Sequence, residues 1–300
     1  MEIHQLRYFC AVARDGTFTR ASESEHVAQP SLSQQILKLE AELGARLFDR
    51  LPRSARLTVF GRAFLPKAER ILRELEEAKS SMLEMTGEEK GDVVLGVIPT
   101  IASYLLPRLL TGFSRMHSMV TVKIVEDITP VLLDRLHRGS MDLALVALPV
   151  AGEDLTALDL FDDHFFAVLP ETHSLASRDT LRMSDLKDDP FLLLKEGHCF
   201  RDSVIDACRE SRVKPNVVFE SGQFSTILAM VSAGMGVSAV PRMAVQEQSG
   251  CRFVRLVGKR STRKIGLIHL RHHFETRAQK ALRAHVIASC AEAAATQSGS

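Results

Sequence analysis

The sequence predicts an α/β protein in which an all-helical N-terminal unit and one long helix precede a larger region of two α/β subdomains. Three patterns support this prediction. Apolar residues recur at helical spacing over residues 1–58, a heptad repeat follows over residues 59–90, and buried strands alternate with helices over residues 91–300. The chain of 300 residues is long enough for two or three domains.

The composition is that of an ordinary globular protein. Hydrophobic residues make up 45% of the chain, and the net charge is only +1, so any contact with nucleic acid must come from a local basic patch. No apolar run approaches the roughly 20 residues that a transmembrane helix needs. Residues 1–5 are polar and lack the apolar region of a signal peptide. We therefore expect a cytoplasmic protein without a membrane partner, in which the cysteines do not form a disulfide framework.

The N-terminal unit has the spacing of a helix-turn-helix. Gly16 separates a first amphipathic helix from a short second one, and Pro30 suits the first turn of a third helix. One face of this third helix is apolar, whereas another is polar and has the side chains that read base edges and phosphates in a major groove. The polar face consists of Ser31, Gln34, Gln35 and Lys38.

An arginine-rich segment follows and predicts a short β-hairpin, or wing, around Pro52. The segment contains Arg46, Arg50, Arg53, Arg56 and Arg62. Arginines of this kind contact DNA phosphates. A winged helix-turn-helix that binds double-stranded DNA therefore explains the pattern better than a small structural bundle or a solvated charged surface. The predicted DNA contacts are Gln29, Pro30, Ser31, Ser33, Gln34, Lys38, Arg50 and Arg53.

Residues 59–90 predict one long helix with an apolar heptad stripe. The stripe consists of Phe64, Ala68, Ile71, Leu75, Ala78, Met82 and Met85. An apolar a/d pattern sustained over about three heptads is typical of a helix that forms a coiled coil with a partner. We therefore favour dimerisation through this helix over packing of the helix on its own domain. Pro66 must lie near the start of the helix or kink it.

From residue 91 onward, strands and helices alternate in the order that predicts a parallel sheet. The predicted strands are residues 93–98, 120–125, 143–147, 165–169, 191–194, 217–220, 237–240 and 265–270. We expect subdomain I at about residues 91–162 plus 265–300 and subdomain II at about 163–264, with a cleft between them. A small, polar tail is expected over residues 291–300, and His272-His273 is interpreted as surface. No glycine-rich phosphate motif and no metal motif is present in the sequence, so no cofactor or metal is expected.

The segment around residue 199 concentrates reactive side chains. His198, Cys199, Arg201 and Asp202 are nearly contiguous, and Cys208 lies nine residues beyond the first thiol. Positive charge and a helix N-terminus both favour a thiolate. His198 and Arg201 are candidates to supply the charge, and a strand-to-helix turn before Cys199 would supply free backbone N–H groups. Two ordinary buried cysteines that happen to be close remain an open alternative.

Several short segments of the N-terminal unit resemble those of a known family. The segments at residues 18–21, 27–33, 39–40 and 47–50 closely resemble LysR-type transcriptional regulators, and the resemblance covers nearly the whole chain. It implies a winged helix-turn-helix at residues 1–58, a linker and dimerisation helix at 59–90, and an effector domain at 91–300. It also implies that this effector domain has two Rossmann-like subdomains of the periplasmic-binding-protein type. Assembly as a homodimer or homotetramer is implied as well, with RNA polymerase as a candidate partner.

Within that family, residues 197–202 together with Cys208 resemble the peroxide-sensing OxyR group. In that group hydrogen peroxide oxidises the first cysteine, which then bonds to the second, and antioxidant genes are activated. The resemblance thus implies a redox-active disulfide between Cys199 and Cys208. The residues that it places at the peroxide are Thr100, Thr129, His198, Arg201 and Asp202. One position departs from the group, since Ser225 stands where its members typically have a glutamate.

Two expectations follow from the predicted elements. Thr100 and Thr129 each come after a strand, so both could reach one cleft with Cys199 at the carboxyl ends of the strands, or they could simply cap helices. If residues 199–208 form one helix, the two cysteine Cα atoms lie roughly 13 Å apart along its axis. A disulfide needs Cα atoms within about 7 Å, so the bond would require this helix to unwind.

Three classes of function fit the sequence. The first is a thiol-switched DNA-binding regulator, and the second is a LysR-type regulator that responds to a small-molecule inducer in the effector cleft. A thiol peroxidase is the third, but it would leave the polar DNA-reading face unexplained. We therefore expect a non-enzymatic regulator.

Overall fold

The structure, a computed structural model, describes residues 1–51, 54–84, 90–271 and 275–298. The chain divides into two compact units. The first unit contains the N-terminal helices, the hairpin and the long helix, and the second contains all later elements. In the described part of the chain, no helix is both long enough and apolar enough to cross a membrane.

The first unit confirms the helix-turn-helix and the hairpin. Its elements are α1 (Ile3–Asp15), α2 (Phe18–Ser24), α3 (Gln29–Leu43), β1 (Phe48–Leu51), β2 (Ser54–Leu57) and α4 (Val59–Glu84). Gly44 ends α3 with a left-handed φ of 67°, a conformation that glycine adopts without steric cost. The buried carboxylate of Glu40 accepts hydrogen bonds from the backbone N–H groups of Leu47 and Phe48, at 2.7 and 3.2 Å. These bonds tie the start of the hairpin to α3.

The long helix α4 is confirmed with Pro66 inside it, but part of its heptad stripe serves its own unit. Phe64 packs against the core of the first unit, and Ala68 is fully buried there. At these two positions the helix therefore packs on its own unit, and dimerisation through this helix stays a prediction. Ile71 lies one turn further along and is exposed, so the part of the stripe that the first unit leaves uncovered begins there. The last two positions of the predicted stripe lie outside the described side chains.

The second unit alternates strands and helices as predicted. Its elements are β3 (Gly91–Val97), α5 (Pro99–Met116), β4 (Val120–Glu126), α6 (Thr129–Arg138), β5 (Leu143–Leu148), β6 (Leu155–Pro170), β7 (Thr180–Leu181), β8 (Pro190–Leu194), α7 (Cys199–Glu210), β9 (Asn216–Ser221), α8 (Phe224–Ser232), β10 (Ser238–Pro241), β11 (Cys251–Leu256), β12 (Thr262–Leu270) and α9 (Arg277–Ser298). One hydrophobic core is built around β3 and β5, and a second is built around β8 and α8.

The sheets are parallel only within each half of this unit. Strands β4, β3 and β5 are parallel neighbours, and so are β8 and β9. Strand β12 pairs antiparallel with β5 and with the long β6, and β6 continues antiparallel to β10 and β11. The prediction of a parallel sheet is therefore wrong for β6, β10 and β12, and β6 is the strand that pairs with strands of both halves. No described helix separates β5 from β6, so no crossover returns β6 in the parallel direction.

Three further details differ from the sequence prediction. Strand β11 was not predicted, because Arg252 and Arg255 interrupt its apolar residues, and β6 starts ten residues earlier than expected. Helix α9 continues to Ser298, so the expected frayed tail is wrong over residues 291–298. This tail is rich in alanine, which has the highest intrinsic helix propensity. His272-His273 lies outside the described residues.

Candidate functional site

Cys199 is the first residue of α7, at a sharp turn that follows β8. The chain leaves β8 at Leu194, turns at Gly197 with a left-handed φ of 92°, and enters α7 after His198. A non-glycine residue would adopt the conformation at position 197 only with strain. The thiol of Cys199 is half-buried and free. The predicted strand-to-helix turn before Cys199 is confirmed.

Three helices of this unit begin near one another at the carboxyl ends of strands. Thr100 is the second residue of α5 after β3, Thr129 is the first residue of α6 after β4, and Cys199 follows β8. The Thr129 hydroxyl acts on the thiol of Cys199 and lowers its pKa. This hydroxyl is buried and has no partner of full hydrogen-bond geometry among the described residues. We therefore treat its contact with the thiol as a weak polar contact rather than a full hydrogen bond.

Burial dominates the protonation of Cys199. Removal of the thiol from water raises its pKa, and the negative charge of Asp202 raises it further. The positive charge of Arg263, the Thr129 hydroxyl and the backbone N–H of Phe200 act in the opposite direction. The net pKa lies above the ordinary cysteine value, so the thiol form prevails at neutral pH.

The cation that favours the thiolate is not one of the two that the sequence suggested. Burial lowers the pKa of His198, so its imidazole is neutral at neutral pH. Arg201 donates to Glu220 on β9 at 2.8 Å, so its charge is balanced by that carboxylate. Arg263 supplies the positive charge instead, which corrects the assignment. The sequence did not indicate Arg263, because it lies on β12, more than sixty residues after Cys199, and no local pattern distinguishes it.

Arg263 lies at the centre of a buried polar network. Its Nε and Nη2 donate to the carboxylate of Asp163 at 3.0 and 2.9 Å, and its Nη1 donates to the Thr100 hydroxyl at 2.8 Å. Both charged side chains are only 2% exposed. The guanidinium also lies 5.0 Å from the centroid of the Phe200 ring. Phe200 directly follows Cys199 in the chain. Burial raises the pKa of Asp163, and Arg263 opposes that shift through its charge and two hydrogen bonds.

The second thiol of the predicted pair lies in a different core. Cys208 is fully buried among the residues around β8, and burial raises the pKa of its thiol to about 11. Cys199 packs instead against the core around β3 and β5. One continuous helix, α7, carries both cysteines, which confirms the helical premise of the unwinding argument. The remaining free cysteines are Cys10, Cys251 and Cys290, and burial raises the pKa of each of these thiols.

A cavity of about 360 Å³ opens beside this site. Thr100, Tyr104, His198 and Ser225 are among its lining residues, and burial raises the pKa of Tyr104. The departure at Ser225 therefore falls in the wall of this cavity. Within the described part of the chain, no group of three or more His, Cys, Asp or Glu side chains is arranged to hold a metal ion.

The predicted DNA-reading face of α3 is mostly exposed. Gln29, Pro30, Ser31, Gln34 and Lys38 are exposed, whereas Ser33 is half-buried. Gln35 is half-buried and accepts a hydrogen bond from the Gln5 side chain at 3.1 Å, so it supports packing between α1 and α3 rather than the polar face. The hairpin side chain of Arg50 and all of Arg53 lie outside the described parts.

We expect the oxidation of Cys199 by peroxide to accelerate with rising pH. The thiolate is the nucleophile, and the raised pKa of Cys199 leaves only a small thiolate fraction at neutral pH. The second-order rate constant should therefore rise by about tenfold per pH unit up to the pKa. Rates measured on Cys208→Ser protein, in which no disulfide can follow, isolate this step. A rate that stays constant between about pH 6 and 8 would show that the thiolate already prevails there.

Comparison with known proteins gives matches over both units. Residues 3–62 match the family described as bacterial regulatory helix-turn-helix protein, lysR family, and residues 86–291 match the LysR substrate binding domain. The chain is 30% identical over 292 residues to an uncharacterized HTH-type transcriptional regulator, YybE, of Bacillus subtilis (strain 168). That match covers 97% of this chain and 100% of the relative.

Two further similarities are to a named relative and to a solved structure. The chain is 34% identical over 267 residues to a probable hydrogen peroxide-inducible genes activator of Mycobacterium avium, covering 88% of this chain and 86% of the relative. The solved structure of full-length OxyR C199D from Pseudomonas aeruginosa superposes with a TM-score of 0.79 at 30% identity. That match covers 97% of this chain and 94% of the other.

Proposed function

This chain belongs to the LysR family of DNA-binding transcriptional regulators, and on that premise we propose that it senses hydrogen peroxide through Cys199. The observation that carries the proposal is the position of this thiol at the start of α7. There it lies beside the Thr129 hydroxyl and the Arg263 charge, on the same helix as Cys208. Proteins of this family are not enzymes, which removes the thiol peroxidase alternative.

The proposed chemistry has two balanced steps. The Cys199 thiolate attacks one peroxide oxygen, the O–O bond breaks, and the departing hydroxide takes a proton and leaves as water. This step leaves a sulfenic acid on Cys199. The Cys208 sulfur then attacks the Cys199 sulfur, the S–O bond breaks, and a second water leaves as the disulfide forms. Over both steps two thiols are oxidised and one peroxide is reduced to two waters.

We assign roles at the peroxide to the residues around the thiol from their positions. Thr129 is our candidate to bind a peroxide oxygen, because its buried hydroxyl has no full hydrogen-bond partner in the described chain. Neutral His198 can accept or donate a proton, and Thr100 is held by Arg263. Roles for Arg201 and Asp202 at the peroxide remain predictions.

Disulfide formation must remodel α7. The two cysteine Cα atoms are separated by nine residues of one helix, or roughly 13 Å, and must approach within about 7 Å. The remodelled segment would reposition subunits in a homodimer or homotetramer, with activation of antioxidant genes and contact with RNA polymerase as the expected outputs. We expect dimerisation through the exposed part of α4 that begins at Ile71.

Quantitative peroxide titration with non-reducing peptide mapping tests this proposal. A Cys199–Cys208 crosslink should appear at nearly one peroxide per chain. A chain whose thiols remain reduced under this titration would overturn it.

The size of the cavity favours one alternative, a LysR-type regulator with a small-molecule inducer. A volume of about 360 Å³ far exceeds what a peroxide molecule needs, since a water molecule occupies roughly 30 Å³ in the liquid. An inducer bound there would contact Thr100 and Ser225. Operator binding that responds to metabolites but stays unchanged in Cys199→Ser protein would favour this alternative.

We also propose that operator DNA binds along the exposed face of α3. Lys38→Ala should weaken binding to all sequences and reduce the salt slope by about one phosphate contact, whereas Gln34→Ala should relax base preference. Both side chains are exposed on α3. Lys214→Ala, which removes an exposed lysine of the second unit, serves as the control. Operator titrations over a range of salt concentrations measure both effects, and unchanged binding in both α3 variants would contradict the assignment.

A further inference from the structure

The first turn of α7 is tied to a neighbouring strand by one charged hydrogen bond. Arg201, two residues after Cys199, donates through Nη2 to the Glu220 carboxylate of β9 at 2.8 Å. The Arg201 side chain is only 17% exposed, compared with 40% for Glu220. The Nε atom of Arg201 is buried and has no hydrogen-bond partner in the described part of the chain. The bond to Glu220 is therefore important for compensating the burial of this guanidinium.

Glu220 is well placed to hold the start of α7. It lies on β9 directly opposite Leu193 of β8, and β8 is the strand that leads into Cys199. The bond from Arg201 to Glu220 thus joins the first turn of the helix back to the sheet from which the helix departs. Any unwinding of this turn must move Arg201 away from the sheet and break the bond.

The other two ion pairs that join α7 to residues outside the helix, within the described part of the chain, are weaker candidates for this role. Asp206 pairs with Arg260 at 3.2 Å, and Glu210 pairs with Lys259 at 3.4 Å. In both pairs the cationic side chain is mostly exposed, at 62% and 84%. Exposed pairs contribute little because water screens them and both side chains lose freedom. A mostly buried guanidinium without an acceptor, by contrast, is costly.

We propose that Glu220 is a positioning residue that, through Arg201, keeps the first turn of α7 wound in the dithiol form and so sets the balance between dithiol and disulfide. The proposal rests on the proposed peroxide function. Cys199 and Cys208 must approach by roughly 6 Å or more before their sulfurs can bond. Arg201 lies between them in the chain and cannot keep its place during that movement. The bond to Glu220 therefore exists only in the dithiol form and opposes disulfide formation.

Glu220→Ala in the full-length chain tests the proposal by two measurements. In the reduced protein, amide hydrogen exchange over residues 199–205 should accelerate by about fivefold to tenfold, because the opening of this turn no longer breaks a charged bond. In buffers of oxidised and reduced dithiothreitol, the equilibrium should shift toward the disulfide by the same factor. That factor corresponds to a reduction potential lower by about 20–30 mV. Glu210→Ala, which removes an exposed pair from the same helix, should leave both quantities unchanged.

A charge swap separates positioning from a general loss of stability. The double variant R201E/E220R restores an ion pair at the same place and should return both exchange and potential toward the wild-type values. Unchanged exchange in Glu220→Ala, or a potential that shifts equally in Glu210→Ala, would overturn the proposal. A chain that forms no Cys199–Cys208 disulfide in any buffer would instead refute the peroxide function. The exchange measurement on reduced protein is independent of that result.

Discussion

Cys199→Ser is expected to abolish the transcriptional response to hydrogen peroxide. A serine hydroxyl at this position has no accessible anionic form near neutral pH and cannot form a sulfenic acid or a disulfide. The surrounding network would persist, because Arg263 is held by Asp163 and Thr100 rather than by the thiol. The Cys199→Ser protein should therefore still bind DNA, as the reduced form does, but should no longer induce transcription in response to peroxide. Reporter transcription measured before and after a peroxide pulse provides the test.

Two companion variants sharpen that result. Cys208→Ser should still be oxidised at Cys199 but should stop at the sulfenic acid, which a dimedone adduct detects by mass spectrometry. Cys251→Ser is the matched control. Its thiol donates to the Leu228 carbonyl at 3.4 Å, a bond that a serine hydroxyl can also make, so induction should be retained. A full response in Cys199→Ser cells would rule out the thiol switch.

Asp163→Asn is expected to destabilise the second unit by about 3 kcal/mol or more, because removal of one partner leaves a buried charge without compensation. Asp163 and Arg263 are each 2% exposed, and two hydrogen bonds join them. An asparagine keeps the shape of the side chain but removes the charge that balances the guanidinium. Urea unfolding followed by circular dichroism measures the loss, since the chain contains no tryptophan as a fluorescence probe.

Asp159→Asn is a matched control for the same change on the same strand. Asp159 also pairs with a cation of β12, Lys264, at 2.7 Å, but these side chains are 60% and 50% exposed. Water screens this pair, so its loss should change the unfolding midpoint little. If the two variants unfold at the same urea concentration, the buried network does not stabilise the unit. Replacing both buried partners, as in D163L/R263M, should recover much of the loss.

The sequence alone predicted the elements whose signals are local. Gly44 and Pro30 bound the third helix, and the alternation around Pro52 indicated the hairpin. The same holds for the start of α7, because an apolar strand, a glycine and a helical pattern follow one another within a few residues. In each case backbone preference and short-range apolar periodicity suffice, and neither depends on distant parts of the chain.

Tertiary structure decided the contacts that carry the chemistry. Arg263 bonds to Asp163, which lies 100 positions earlier in the chain. Arg201 bonds to Glu220, although its position in the sequence, two residues after Cys199, suggested that it acts on the thiol. The effect of a charge on a neighbouring pKa depends on the distance between the two groups in space and on how far water is excluded from them. Neither quantity can be read from spacing along the chain. Likewise, a heptad repeat indicates an apolar stripe but not what covers it, and in α4 the unit's own core covers Phe64 and Ala68. The sequence thus determined which reactive groups the protein has, and packing determined which of them meet.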